Sequence, residues 1–189
     1  MKHPLLVTLL LTFSLAQAAQ AADTYVTDPN HTFARFSYSH LGYSTQLSRF
    51  DKVSGTITLD TAAKTGSADI TVDPRSVSTG SEHLNEHLQE EAFFNSDKYP
   101  AIHFVGNSMK FDGDTPTEVD GELTIKGITR PVVLQITSFK CMLHPMLKKP
   151  ACGADAVTHL KRTDFNMAKY VPYVGDDVTV TLSVEAIKK

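Results

Sequence analysis

The sequence predicts an all-β protein, an elongated antiparallel barrel of about eight strands with one short helix. The first observation is that apolar and polar residues alternate over most of the chain, as in strands that bury one face. The second is that short turns separate these segments, which favours antiparallel pairing, because parallel strands covered on both faces read as continuous apolar runs. The third is that residues 79–100 are the only stretch with a convincing helical pattern.

The amino-terminal segment differs from the rest of the chain. Lys2 precedes an apolar run over residues 5–15, and small residues follow up to an A-x-A site at 19–21. This order is typical of a secretory signal peptide, and the run is too short for a stable membrane span. We predict that residues 1–21 are removed on export to the periplasm, or on secretion, and that residues 22–189 form a single domain.

Eight alternating segments follow in chain order, and each has one apolar face. They cover residues 33–40, 53–60, 70–72, 102–111, 118–125, 132–136, 154–160 and 178–186. Turns are predicted at Asp112-Gly113-Asp114 and at Lys126-Gly127. Eight strands close into a barrel whose interior just holds one slender ligand, and closure removes exposed sheet edges. A β-sandwich is the competing architecture, and the lone internal helix favours the barrel.

The helix is predicted to begin at Ser81, whose hydroxyl can accept a free backbone N–H. Leu84 and Leu88 lie four residues apart on one face, and the polar residues lie mostly elsewhere. This narrow apolar face indicates a helix that covers the barrel as a lid. Three aromatic residues and a proline then connect it to the next strand: Phe93, Phe94, Tyr99 and Pro100.

Composition argues against several functional classes. The formal net charge is −3, so there is no electrostatic case for nucleic acid or for an anionic membrane, and we expect only transient contact with a membrane. The sequence contains no G-x-S-x-G motif, glycine-rich phosphate loop or C-x-x-C-H haem site, so no catalytic residue is assigned. Serines at 37, 39, 44 and 48 lie near His40, which leaves a hydrolase of lipid-like substrates as an alternative. A homodimer is compatible with the sequence.

Two clusters could bind a metal. His83 and His87 are four residues apart on the helix, a spacing that could chelate zinc or copper, but no third ligand can be named. The second cluster combines sulfur and imidazole groups that suit Cu(I): Cys141, Met142, His144, Met146, Cys152 and His159. We favour a disulfide between Cys141 and Cys152, because an exported protein meets oxidising conditions. No metal site is assigned.

One charged pair lies where a strand should end. Arg162 and Asp164 belong to the run Arg162-Thr163-Asp164-Phe165. We interpret them as a structural ion pair in preference to a contact with the head group of a ligand.

Several motifs, taken in order, resemble one protein family. They are His40-Leu41-Gly42-Tyr43, His87-Leu88 with Phe93-Phe94-Asn95, Lys98-Tyr99-Pro100, the stretch from Gly121 to Val132, and Arg162-Thr163-Asp164-Phe165. The chain resembles the YceI-like, lipocalin-like periplasmic proteins that bind polyisoprenoid lipids. It departs from many members at Asn166, where they have glycine, and in its cysteine pair. That pair is similar to a neisserial-type branch, which implies an isoprenoid quinone such as ubiquinone as the ligand.

The resemblance implies a binding or carrier protein, not an enzyme, with no cofactor other than its bound isoprenoid lipid or quinone. The apolar tail is expected to contact inward-facing apolar and aromatic side chains: Phe36, Tyr38, Ile57, Leu88, Phe93, Phe94, Phe104, Leu134 and Leu182. Four polar side chains are expected near the head group at the mouth: His40, His87, Tyr99 and Arg162.

Overall fold

A computed structural model describes residues 22–189, which form eleven strands and one α-helix. The strands are β1 (Asp23–Thr27), β2 (Phe33–His40), β3 (Ser44–Phe50), β4 (Val53–Asp60), β5 (Thr65–Val72), β6 (Val77–Ser78), β7 (Ile102–Asp112), β8 (Thr115–Ile125), β9 (Ile128–Leu143), β10 (Pro150–Lys161) and β11 (Asp177–Lys188). The helix α1 spans Glu82–Gln89, and Pro74–Ser76 and Arg162–Phe165 form single 3₁₀ turns. The predicted signal peptide lies outside the described residues. In the described part of the chain, no helix has the length and apolar character needed to span a membrane.

Eight of the strands close into an antiparallel barrel, as predicted. Their order is β1, β4, β5, β7, β8, β9, β10 and β11, and β11 pairs back onto β1. The other edge partner of β11 is β2, which pairs with its residues Thr179 to Ser183, whereas β1 pairs from Ala186 to Lys188. Strands β2, β3 and β6 therefore extend the barrel wall at one end. The barrel, and not the alternative sandwich, is the architecture of this chain.

Three strands have no counterpart in the predicted set. Strands β1 and β6 are only five and two residues long, too short for alternation to show. Strand β3 (STQLSRF) is mostly polar on both faces and is held by its pairing with β2 along its whole length. Its structure is therefore decided by its partner strand and not by its own sequence pattern.

The helix starts where the sequence predicts it to start. The Ser81 hydroxyl accepts a hydrogen bond from the backbone N–H of Leu84 at 3.4 Å. The helix ends at Glu90, whose backbone N–H donates to the carbonyl of His87 at 3.2 Å. It is shorter than the stretch 79–100, because turns follow it and Asn95 adopts the left-handed conformation with φ of 48°. We call the end of the barrel beside α1 the helix end.

A glycine pair makes room inside the barrel wall. Gly106 of β7 and Gly121 of β8 are direct partners. A Cβ atom on Gly121 would lie 2.5 Å from the carbonyl oxygen of Val105 and 2.7 Å from the ring of Phe104. The Phe104 ring therefore occupies the space that side chains at these two positions would fill.

Candidate functional site

The interior of the barrel contains a cavity of about 420 Å³. At the helix end it is lined by Leu84 and Leu88 of α1, and at the opposite end by Tyr25, Phe139 and Cys152. The lining is almost entirely apolar. Ligand pockets in proteins typically enclose about 300–1,000 Å³, so this cavity has the size of a small-molecule site. It follows the barrel along its length.

The cavity explains an unusual burial pattern on the inward strand faces. Leu134 and Ile136 of β9 and Val180 and Leu182 of β11 line the cavity, yet each is only partly buried. Well-packed cores leave few voids larger than a water molecule. These side chains keep accessible surface because they face empty space inside the barrel.

Twelve of the thirteen predicted ligand-binding residues line this cavity. They are Phe36, Tyr38, His40, Ile57, His87, Leu88, Phe93, Phe94, Phe104, Leu134, Arg162 and Leu182. Tyr99 is the exception, since it is absent from the cavity wall. Its ring contacts Gly127 and lies 5.3 Å from the Lys98 ammonium group. The structure gives Tyr99 no contact that would support the predicted role at the head group.

Three phenylalanine rings pack together inside the barrel at the helix end. Phe50 lies 5.4 Å from Phe36 and 5.3 Å from Phe94 between ring centres, and Phe36 lies 6.1 Å from Phe94. Such distances are typical of favourable aromatic pairs. Sequence reasoning missed Phe50, because it ends the polar strand β3 and no local pattern marks its face.

Arg162 is a buried cation at the helix end, and it does not form the predicted ion pair with Asp164. Its Nε donates to the carbonyl of Gly175 at 2.8 Å, and its Nη2 donates to the carbonyl of Val174 at 2.8 Å. Its Nη1 donates to the carbonyls of Met167 and Lys169. Burial lowers the pKa of the Arg162 guanidinium. Electrostatic interactions with Asp176 and Tyr38 raise this pKa and partly offset the effect of burial.

These bonds determine what Arg162 can still do. A guanidinium carries five N–H bonds, and four of them are used to hold the loop after the 3₁₀ turn. The fifth, on Nη2, has no acceptor among the residues that the structure describes. Because Arg162 also lines the cavity, it combines a structural role with a donor that a ligand could use.

Three further polar side chains line the cavity near Arg162. Burial raises the pKa of the Tyr38 phenol, and the charge of Arg162 opposes this effect. His40 forms an isolated bridge with Val174, which ties the end of β2 to the loop held by Arg162. His87 places its Nδ1 2.9 Å from a Glu90 carboxylate oxygen and its ring 4.8 Å from that of Phe93. The polar groups predicted for the mouth, apart from Tyr99, are therefore grouped at one end.

A second buried cation, Lys126, lies in the turn between β8 and β9. Its ammonium group donates to the carbonyl of Glu91 at 2.8 Å and to that of Asn166 at 3.0 Å. Burial lowers the pKa of Lys126. Lys126 therefore connects the segment after α1 to the residue that follows the 3₁₀ turn Arg162–Phe165. Its position in a turn of the sequence did not indicate this role. Asn166 has φ of 56°, and asparagine tolerates this left-handed conformation better than most residues other than glycine.

The predicted disulfide is present. Cys141 of β9 and Cys152 of β10 are direct strand partners with Cα atoms 4.0 Å apart, and they are bonded to each other. Both thiols are consumed, so the Cu(I) interpretation loses its two cysteine ligands.

The helix histidines also do not converge on a site. His83 is exposed, and His87 is directed to Glu90 and Phe93. Over residues 22–189, the one group of three side chains spaced for a metal is Asp28, His31 and Glu185 on the surface.

The comparisons with known proteins agree with this geometry. The family model for the YceI-like domain matches residues 25–186. The chain is 32% identical over 182 residues to Protein YceI of Shigella flexneri, covering 95% of this chain and 93% of that protein. It is 33% identical to Protein YceI of Salmonella arizonae with the same coverage.

Solved structures of similar shape extend the comparison. The YCEI protein of Campylobacter jejuni superposes with a TM-score of 0.69 at 27% identity, covering 80% of this chain and 90% of that one. A polyisoprenoid binding domain from Saccharophagus degradans has a TM-score of 0.65 at 16% identity, covering 87% and 98% of the two chains. At that identity the second similarity shows the fold alone.

Proposed function

The chain belongs to the YceI-like family, and from this we propose that it is a binding protein that holds one polyisoprenoid lipid inside its barrel. We propose an isoprenoid quinone such as ubiquinone as the ligand. The observation that carries the proposal is the apolar cavity that follows the barrel from α1 to the disulfide. The domain from Saccharophagus degradans with the same fold is described as a polyisoprenoid binding domain, and we extend that class of ligand to this chain as part of the proposal.

The tail supplies most of the affinity in this proposal. Each buried methylene contributes roughly 0.8 kcal/mol, so several isoprene units outweigh the cost of ordering the chain. A branched, slender tail also suits this cavity, which is long and narrow. Inward-facing side chains of the surrounding strands line it on every side. Affinity should therefore follow tail length more than head-group chemistry.

We propose that the head group of the lipid lies at the helix end. Tyr38, His40, His87 and Arg162 line the cavity there, whereas its walls elsewhere are almost wholly apolar. A quinone carbonyl is a hydrogen-bond acceptor, and the fifth N–H of Arg162 is a donor without a partner among the described residues. This match favours a quinone over a head group that only donates hydrogen bonds.

The experiment measures binding of quinones with increasing isoprenoid length to the wild type and to a matched pair of variants. Leu134 lines the cavity, while its neighbour Val133 on β9 is exposed outside it. Leu134→Arg places an unpaired charge against the tail and should reduce affinity at least about 100-fold, whereas Val133→Arg should bind as the wild type does. Phe36→Asp should act like Leu134→Arg.

Thermal unfolding of each variant separates a loss of binding from a loss of folding. Native mass spectrometry of the purified wild type should show a bound lipid mass. Affinity that ignores tail length, or that survives Leu134→Arg in a folded protein, would overturn the proposal.

We also propose that the protein works in the periplasm after removal of residues 1–21. The apolar run and the A-x-A site support this location. Amino-terminal sequencing of the protein from a Gram-negative host should begin at Ala22, and a soluble pool that retains Met1 would contradict it.

A further inference from the structure

We propose that the tip of the β9–β10 hairpin, residues 140–149, docks the protein on a membrane surface that contains anionic phospholipids. The tip lies at the end of the barrel opposite to α1. It goes beyond the lipid-binding proposal, because it concerns the outer surface and not the cavity. If both hold, the docked barrel turns its helix end, where the head group is proposed to lie, away from the membrane.

Four apolar side chains are exposed together at this tip. Met142 is 52% exposed, Leu143 59%, Met146 81% and Leu147 56%. Scattered apolar residues are normal on a protein surface, but four exposed within six positions concentrate apolar surface at one tip. Long unbranched and branched aliphatic side chains of this kind can enter the boundary between head groups and acyl chains.

The hairpin exposes these residues because its β9 side extends past β8, whereas its β10 side stays paired with β11 as far as Ala151 opposite Ile187. Strand β8 pairs with β9 only as far as Glu118 opposite Gln135, so the last eight residues of β9 pair with β10 alone. The disulfide lies at the base of the tip, between Cys141 and Cys152. The projecting part is thus a defined structure and not a frayed end.

Hydrogen bonds organise the loop itself. The backbone N–H of His144 donates to the carbonyl of Lys149 at 2.8 Å, and Lys148 donates back to the carbonyl of His144 at 2.9 Å. The Nδ1 atom of His144 accepts from the backbone N–H groups of Met146 and Leu147 at 3.3 and 3.2 Å. The loop therefore presents its apolar side chains on an ordered backbone.

The charge of the tip selects an anionic membrane among the surfaces it could meet. Lys140, Lys148 and Lys149 flank the apolar residues, and no acidic residue occurs from position 140 to 154. The whole chain carries a formal charge of −3, so this local positive charge is a reversal. Lysines beside an apolar group favour adsorption to anionic lipids. A second copy is a poorer partner, because two apposed tips would bring six lysines together.

The chain contains no tryptophan, so one introduced tryptophan reports on one position. Met146→Trp places the reporter at the tip. Tyr43→Trp is the matched control, since Tyr43 is 87% exposed in the turn between β2 and β3 at the helix end. Vesicles of phosphatidylcholine with phosphatidylglycerol are compared with vesicles of phosphatidylcholine alone.

The Met146→Trp emission should shift to shorter wavelength with anionic vesicles and be quenched by brominated acyl chains, while Tyr43→Trp should not respond. Replacing Lys148 and Lys149 with glutamine should lower vesicle partitioning about 25-fold, because each lysine near an anionic surface contributes about fivefold. The matched change of Lys52 and Lys98 to glutamine, away from the tip, should have little effect. Thermal unfolding checks that all variants are folded.

An equal response of Tyr43→Trp, or no response of Met146→Trp, would overturn the inference. Concentration-dependent dimers that dissociate on Met146→Glu would assign the tip to self-association and would overturn it as well. Failure of the lipid-binding proposal is distinguishable, since quinone affinity would be lost while vesicle docking persisted.

Discussion

The helix end and the hairpin end of the barrel are stabilised by different chemistry. At the helix end, the buried cations Arg162 and Lys126 donate hydrogen bonds to backbone carbonyls of loops that lie outside the named strands. At the hairpin end, the wall is a regular ladder of β9 and β10 with a covalent bond between Cys141 and Cys152. Hydrogen bonds can break and re-form on a ligand's approach, whereas the disulfide holds β9 and β10 together permanently. If the proposed lipid binds, this contrast favours its entry at the helix end.

The two ends also differ in what they show to the cavity and to water. The helix end directs polar groups inward, at Tyr38, His87 and Arg162. The hairpin end directs apolar groups outward, at Met146 and its neighbours. One end is therefore suited to a head group, and the other to a surface outside the protein. Substitutions at each end should therefore have separable effects.

Arg162→Met should have the largest effect on stability. It leaves four carbonyls of the loop without their donors, and buried unsatisfied groups cost about 1–3 kcal/mol each, so we expect a loss of at least about 3 kcal/mol in the free energy of unfolding. Urea unfolding measures it, and hydrogen exchange should accelerate in residues 166–176 but not at the hairpin tip.

The control for this change is Arg130→Met on the exposed face of β9. It should stay within about 0.5 kcal/mol of the wild type. An Arg162→Met protein that is as stable as this control would show that the guanidinium does not hold the helix end.

Replacing Cys141 and Cys152 together with alanine should have the second largest effect. The cysteines are 11 positions apart, and closing a ring of this size contributes about 3 kcal/mol in the chain-entropy model. We expect a loss of about 2–3 kcal/mol in the free energy of unfolding, measured by urea unfolding. Reduction of the wild type by dithiothreitol should reproduce the loss. A double variant as stable as the wild type would show that the disulfide does not stabilise the hairpin end.

Tyr38→Phe should have the smallest effect, and its sign depends on pH. At pH 7 the lost hydroxyl should change the free energy of unfolding by less than about 1 kcal/mol. Burial raises the pKa of Tyr38 above its unfolded value of about 10. The neutral phenol is therefore favoured in the folded state, and its contribution is fully present below pH 10 and is lost as the pH rises through the folded pKa.

Unfolding midpoints of the wild type and of Tyr38→Phe at pH 7, 8, 10 and 11 measure this contribution. The difference between the two proteins should be equal at pH 7 and 8, and it should shift against the wild type above pH 10. A difference that stays constant up to pH 11 would remove Tyr38 from the group of buried residues at the helix end.

Several features followed from local patterns because their causes are local. Alternation predicted the strands 33–40, 53–60 and 178–186 at nearly their observed bounds. The cap at Ser81 was predicted correctly because it acts over three residues. The disulfide was predicted because the chain was expected to be exported and its two cysteines are near in sequence. In contrast, Phe50 and Lys126 act through partners far away in the chain, so no local pattern marked them.

Arg162 was noticed in the sequence, but its hydrogen-bond partners were predicted incorrectly. Its charge was noticed, but the nearest acid in sequence, Asp164, suggested an ion pair. The guanidinium instead binds carbonyls from Met167 to Gly175, because the loop folds back over it after the 3₁₀ turn. Burial and the path of the loop determine which acceptors lie near the guanidinium. Neither can be predicted from the spacing of residues in the sequence.

Local sequence patterns were enough to predict the strands, their pairing and the helix. The period of two residues identifies the apolar face of each strand. Short turns indicate antiparallel pairing, and one helical pattern indicates the helix that covers the barrel. The cavity in the interior, in contrast, could be recognised in the tertiary structure alone. A packed core and a cavity use the same inward-facing residues, such as Leu134 and Leu182. Whether these residues form a packed core or a cavity depends on the distance between opposite walls, which is set when β1 and β11 pair and close the barrel. It also depends on Gly106 and Gly121, which leave space for the Phe104 ring. Distances across a barrel are set by all its strands together, and no single strand encodes them.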